Sequence, residues 1–220
     1  MNIMTLLKTA TADLHQAAES SPLQRQFVKG ELPRELYATF LGQMYLVHAA
    51  LEQAIRDASA SHPGFATVIR EYHDREPQLC EDLAFLGVEL ADITAIAATT
   101  AMLADVARTA ADQPVALLGM LYVLEGSTNG SKYIARAIRK AYQLEQGPGV
   151  AYLDPHGELQ QERWQAFKTD MDSVGFTEGE TEAIVATAKG MFRAITEISD
   201  ELSENCSEGS VAATGRTLAP

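Results

Sequence analysis

Tyr122-Val123-Leu124-Glu125-Gly126-Ser127-Thr128-Asn129-Gly130-Ser131-Lys132 places two glycines, four residues apart, inside an otherwise helical pattern. A mid-helix glycine costs ~1 kcal/mol relative to alanine, so a pair on one face needs a physical reason. Without Cβ atoms the backbone can lie directly against a partner, either a neighbouring helix or a flat ligand. Helix–helix packing is the commoner use of this spacing. The Ser-Thr-Asn filling points the other way, because a helix contact favours Ala or Val there.

A second feature near the N-terminus adds weight to a ligand. In Leu7-Lys8-Thr9-Ala10-Thr11-Ala12-Asp13-Leu14-His15-Gln16-Ala17-Ala18-Glu19, His15 and Glu19 are helical i,i+4 neighbours. The carboxylate can therefore orient the imidazole, the usual support of a metal-bound histidine. Lys8 lies on the same stripe, ~10.5 Å before His15 along the axis. An imidazole and an ammonium so separated suit a porphyrin, with iron at one and a propionate at the other. The bland reading is a solvated amphipathic helix with an incidental histidine.

The pattern is helical almost throughout. Leu36, Phe40, Met44, Val47, Leu51 and Ile55 recur at steps of four and three, just after Pro33. Thr177-Glu178-Gly179-Glu180 reads as a capping box, with Ile184, Ala188, Met191, Ile195 and Ile198 behind it. Pro63, Pro114 and Gly147-Pro148-Gly149 mark breaks. No alternating β-branched run is long enough for a sheet. The expectation is an all-α helical bundle forming one domain over residues 1–203. From there the composition turns to Ser, Glu, Gly and Ala, which predicts a disordered tail over 204–220.

The bulk numbers set limits. The chain has 220 residues, 46% of them hydrophobic and 21% charged, enough for one core and a soluble surface. A net charge of −13 repels phosphate and argues against nucleic acid. No apolar run reaches the length of a membrane span, and the N-terminus lacks a signal-peptide pattern. Cys80 and Cys206 have no metal-site spacing. These features predict a cytoplasmic protein with no membrane partner. Lys132, Arg136, Arg139 and Lys140 form a basic face after the glycines, either simply solvated or a dock for an acidic electron donor.

The residues around His15, together with Phe27-Val28-Lys29-Gly30-Glu31-Leu32, Tyr45, Leu51-Glu52, Glu125–Lys140, Trp164–Lys168 and Ala188–Phe192, resemble haem oxygenases in order and spacing over most of residues 1–203. That resemblance implies an all-helical enzyme that cleaves haem oxidatively to biliverdin, releasing iron and carbon monoxide, with haem as both cofactor and substrate. It implies His15 as the proximal iron ligand and Glu19 as its partner. Lys8, Thr11, Lys168 and Phe192 would border the haem, the lysines against propionates. Gly126 and Gly130 would let the distal helix approach the haem and steer oxygen. The implied partners are haem and an electron donor such as ferredoxin, flavodoxin or a reductase.

Two departures stand out. Many animal members carry Asp after the first distal glycine, where this chain has Ser127, and they place Tyr where it has His48. The proton relay must then be rebuilt, with Ser127, Thr128, Asn129 and His48 as candidates to hold water. This puts Gly126, Ser127, Asn129, Gly130 and His48 at the catalytic face. Two alternatives belong to other classes. One is a haem carrier or sensor without turnover. The other is a non-haem di-iron oxidase drawing on His48, Glu52, Glu125, His73 and Glu76, although the paired Glu-x-x-His spacing of such centres is missing.

Overall fold

Pro33 forms the N-cap of a helix over Arg34–Ala58, and the apolar positions that follow it at steps of four and three turn inward. The same logic builds the whole chain. The computed structural model describes residues 2–144 and 147–214, with side chains described to 205. The helices are α1 (Ile3–Glu19), α2 (Pro22–Lys29), α3 (Arg34–Ala58), α4 (Pro63–Val68), α5 (Glu76–Phe85), α6 (Ala97–Asp112), α7 (Leu117–Tyr142), α8 (Gln160–Ser173) and α9 (Glu178–Thr214). No strand occurs among the described residues.

Local chemistry explains several of the boundaries. Asn2 caps α1 by accepting from the Thr5 N–H, and Ser21 caps α2 by accepting from that of Gln24. The capping box of α9 is present: Glu180 accepts from the Thr177 N–H at 2.8 Å, and Thr177 accepts from that of Glu180 at 3.3 Å. Pro63 occupies the first turn of α4, and Pro114 opens the short 3₁₀ turn that leads into α7. Helix α9 continues through Ser203 to Thr214, so residues 204–214 of the expected tail extend this helix. The Cys206 side chain and residues 215–220 lie outside what is described.

Helix α9 is the spine, with α1 and α7 packed along it, while α3 packs on α5 and α6. Ile184, Ala188, Met191 and Ile198 are fully buried on its inner face. The closest approach is at Gly119 of α7, where an added Cβ would strike the Ile184 carbonyl oxygen and the Thr187 hydroxyl. Thr187 donates across the same crossing to the Ala116 carbonyl at 2.6 Å. This glycine serves helix packing. Away from the spine, buried Asp82 accepts from the backbone N–H groups of Gly149, Ala151 and Tyr152 at 2.6, 3.0 and 2.9 Å. One carboxylate thus shapes the loop after α7 and delivers Tyr152 to the interior.

His73 gives the fold a pH dependence. It is 3% exposed, and its Nδ1 accepts from the Arg70 N–H at 3.1 Å. Burial lowers its pKa to about 4. In the unfolded chain the ring takes up a proton near pH 6.5, which the folded state refuses. This contribution to stability is therefore complete above about pH 6.5 and drains away as pH falls towards 4. His73→Asn keeps an acceptor for Arg70 without titrating. Urea unfolding at pH 7 and pH 4.5 should show an acid loss smaller in the variant by about 2 kcal/mol. Equal losses in both proteins would rule His73 out.

Candidate active site

Helices α1, α3, α7, α8 and α9 enclose a cavity of about 1380 Å³, above the ~300–1,000 Å³ usual for small-molecule sites. The residues expected to meet haem border it: Lys8, Thr11, His15 and Glu19 from α1, His48 from α3, Gly126, Ser127, Asn129 and Gly130 from α7, Lys168 from α8 and Phe192 from α9, whereas Glu52, His73, Glu76 and Glu125 do not line it. The stretches around His15 and Gly126–Gly130 lie more than a hundred residues apart and line the same space.

A Cβ at Gly130 would meet nothing within 4 Å, and one at Gly126 would meet only Trp164 Cη2, at 3.5 Å. No backbone of another helix approaches either position, and only the Trp164 side chain of α8 reaches Gly126. The two glycines open α7 towards the cavity, in contrast to Gly119, and leave room for a flat group on the helix backbone. Trp164, stacked on Phe167 at 5.5 Å between ring centroids, closes this side.

On the α1 side, the His15 ring meets the Phe192 edge at 5.7 Å and 71°. His15 Nδ1 stands 3.6 Å from Glu19 Oε1, with the side chains 54% and 67% exposed. That is ion-pair range but longer than a hydrogen bond, so Glu19 sits beside the ring without locking it. Thr11 is buried and donates to the Leu7 carbonyl at 2.7 Å. The Tyr122 phenol faces it, its pKa raised by burial and partly restored by the bond to Thr11.

The polar groups on α7 differ from the sequence expectation in detail. Ser127 and Thr128 donate to the carbonyls of Leu124 and Glu125, and the Asn129 amide donates to that of Gly126. Their protons are engaged by their own helix. Gln160 fixes Thr128 and Asn129 further, donating to both at 2.8 and 3.3 Å. What these side chains offer to water in the cavity is mainly lone pairs. His48 differs: it is 3% exposed, and its Nε2 has no hydrogen-bond partner among the described residues.

Beneath this face runs a buried polar chain that the sequence did not reveal. Arg75, 2% exposed, donates to Glu125 Oε1 at 2.6 Å. Glu125 Oε2 lies 3.1 Å from His156 Nε2, and His156 Nδ1 lies 2.9 Å from the Arg163 guanidinium. An arginine only donates, so His156 Nδ1 accepts from Arg163, while Nε2 sits between Glu125 Oε2 and the Arg75 guanidinium, 2.9 Å from the latter. Burial pushes the Glu125 carboxyl up, but the His156 hydrogen bond and the Arg75 charge outweigh it and leave the pKa lowered. These residues come from two loops and two separate helices, so no local pattern announced them. Glu125 is thereby engaged by a cation. Among the described residues no three His, Cys, Asp or Glu side chains are grouped to hold a metal ion, so the geometry gives the di-iron alternative no support.

Fold and cavity together define an all-helical protein with a histidine facing a glycine-opened helix across a deep slot. Residues 1–201 match the family model described as Heme oxygenase. The chain is 30% identical over 209 residues to heme oxygenase 1 of Pongo abelii, covering 90% of this chain and 70% of that protein. It is similar in fold to the heme oxygenase of Leptospira interrogans, with a TM-score of 0.84 and 26% identity over 91% of this chain and all of that one. The heme oxygenase-1 of the cyanobacterium Synechocystis, solved in complex with heme, shares the fold at a TM-score of 0.86 and 22% identity, covering 99% of this chain and 100% of that one. This chain belongs to the heme oxygenase family, whose members degrade haem to biliverdin. No helix among the described residues is long and apolar enough to cross a membrane.

Proposed function

We propose that the cavity seats haem and that residues 1–203 carry out its oxidative cleavage to biliverdin, with release of iron and carbon monoxide. The observation that carries this reading is the open space at Gly130 facing the α1 stripe of Lys8 and His15. Bound haem supplies the iron that activates oxygen and the porphyrin that is oxidised. Everything else falls to the chain. His15 would hold the iron from the α1 side, with Phe192 fixing its ring and Glu19 biasing its charge. Lys8 and Lys168 would take the propionates at the cavity mouth. The Gly126–Gly130 backbone would limit the space on the opposite face and so direct where oxygen reacts.

Protons are the remaining requirement. Ser127 and Asn129 can accept hydrogen bonds from water, and His48 Nε2 adds a buried site with no partner among the described residues. Water held between such fixed groups needs no side-chain carboxylate after Gly126. His48→Phe should slow biliverdin formation severalfold and divert oxygen to peroxide, while haem affinity stays the same. Unchanged turnover in that variant would remove the imidazole from the relay.

Electrons must come from outside. On α7, Lys132 and Arg136 flank the 61%-exposed Tyr133 at 5.3 and 5.6 Å, Lys140 is exposed and Arg139 donates to the Gly147 carbonyl. This basic face on the distal helix would receive an acidic ferredoxin, flavodoxin or reductase. Cys80 has no disulfide partner among the described residues, which suits a reducing cytoplasm as the place of work. The whole reading is tested by titrating the protein with haemin and then supplying reductant in air. A saturable Soret band at one haem per chain, decaying to a bilin spectrum, is expected. Absence of the band would overturn it.

A further inference from the structure

We infer that Glu52 is a positioning residue, fixing His48 in the tautomer that carries its proton on Nδ1 and keeps Nε2 bare for a cavity water. This rests on the haem-cleaving reading and sharpens the part of His48 in it. His48 Nδ1 lies 3.1 Å from Glu52 Oε1, one helical turn along α3, and both side chains are 4% exposed. The same Oε1 accepts from the Arg75 backbone N–H at 2.7 Å. A carboxylate so placed is an acceptor only, and it draws the imidazole proton to Nδ1. The ring edge opposite Glu52 is then left with a lone pair, and the His48 ring borders the cavity. Tyr152, meeting His48 edge-on at 5.4 Å, keeps the ring from turning.

Arg75 makes the arrangement rigid from both sides. Its backbone pins Glu52, and its guanidinium holds Glu125, the residue immediately before Gly126. The orientation of His48 on α3 is thus tied to the register of the glycine helix by one buried residue. The chemical consequence is specific. A water that donates one proton to Nε2 has its second proton free to point into the cavity. His48 in this state orients water and does not itself donate. That is the task which a carboxylate after Gly126 would otherwise perform, since a carboxylate also accepts from water.

The test reads the tautomer directly in the haem-free protein, by ¹⁵N NMR of labelled histidine, with His48→Phe identifying the resonances. Wild type should show His48 protonated at Nδ1 and bare at Nε2. Glu52→Ala should move the proton to Nε2, and Glu52→Gln should keep it on Nδ1 because its amide oxygen still accepts. In reductive turnover Glu52→Ala should raise peroxide leakage severalfold at unchanged haem affinity, and Glu52→Gln should restore most of the bilin yield. A wild-type ring protonated at Nε2 overturns the inference even if bilin forms. So does a Glu52→Ala ring that stays protonated at Nδ1. If Glu52→Ala fails to fold, the wild-type and Glu52→Gln spectra decide it alone. The predicted tautomer in a protein that makes no bilin would leave the positioning intact and refute the function instead.

Discussion

Gly130→Leu should stabilise the haem-free protein while abolishing haem binding, and Gly119→Leu should do the reverse to the fold. Both residues are mid-helix glycines of α7, and leucine is the better helix former by about 0.5–1 kcal/mol. At Gly130 a Cβ meets nothing within 4 Å, so that preference is gained in full. A rise in midpoint of roughly 1–4 °C is expected for a domain of this size, with the new side chain filling the space meant for the porphyrin. At Gly119 the Cβ would collide with the backbone of α9. Overpacking costs about 1–3 kcal/mol where side chains can yield, and here the obstacle is a main-chain carbonyl, so the loss should be larger. Thermal unfolding and haemin titration of the two variants separate these effects. A destabilised Gly130→Leu protein that still binds haem would return that glycine to helix packing.

His15→Ala should have the largest effect on the haem spectrum. Removing the imidazole leaves no other histidine on α1, and it leaves Glu19 beside an empty position. The neutral-histidine spectrum should be lost and turnover should fall at least a hundredfold. Added imidazole should recover both in part, since a small diffusible base can enter the space the side chain vacated. Spectra identical to wild type would move the ligand elsewhere, with His48 the next histidine on the cavity wall.

The sequence was most legible where the determinants are local. The α1 stripe of Lys8, Thr11 and His15 and the α7 glycines are read from helical spacing, because residues three, four and seven apart must share a face. That the two stripes face one another is a long-range fact, and only the resemblance supplied it in advance. Gly119 stood in plain view within an apolar run, yet its role as a crossing point depends on Ile184 and Thr187, which no spacing connects to it. Arg75, Glu125, His156 and Arg163 were invisible as a group for the same reason. The hydroxyls of Ser127 and Thr128 look available in the sequence, but both bond back to their own helix. The change to a polar, small-residue composition after Ser203 coincides with continued helix to Thr214, so composition alone did not mark where α9 stops.

The most direct test is the balance sheet of a single turnover: the haemin complex is given an electron supply in air, and bilin, carbon monoxide and chelatable iron are measured per haem consumed. Cleavage in this cavity predicts biliverdin with one equivalent each of carbon monoxide and iron. Haem recovered intact, or bleached to fragments without carbon monoxide, would mean that the pocket binds haem but does not open it.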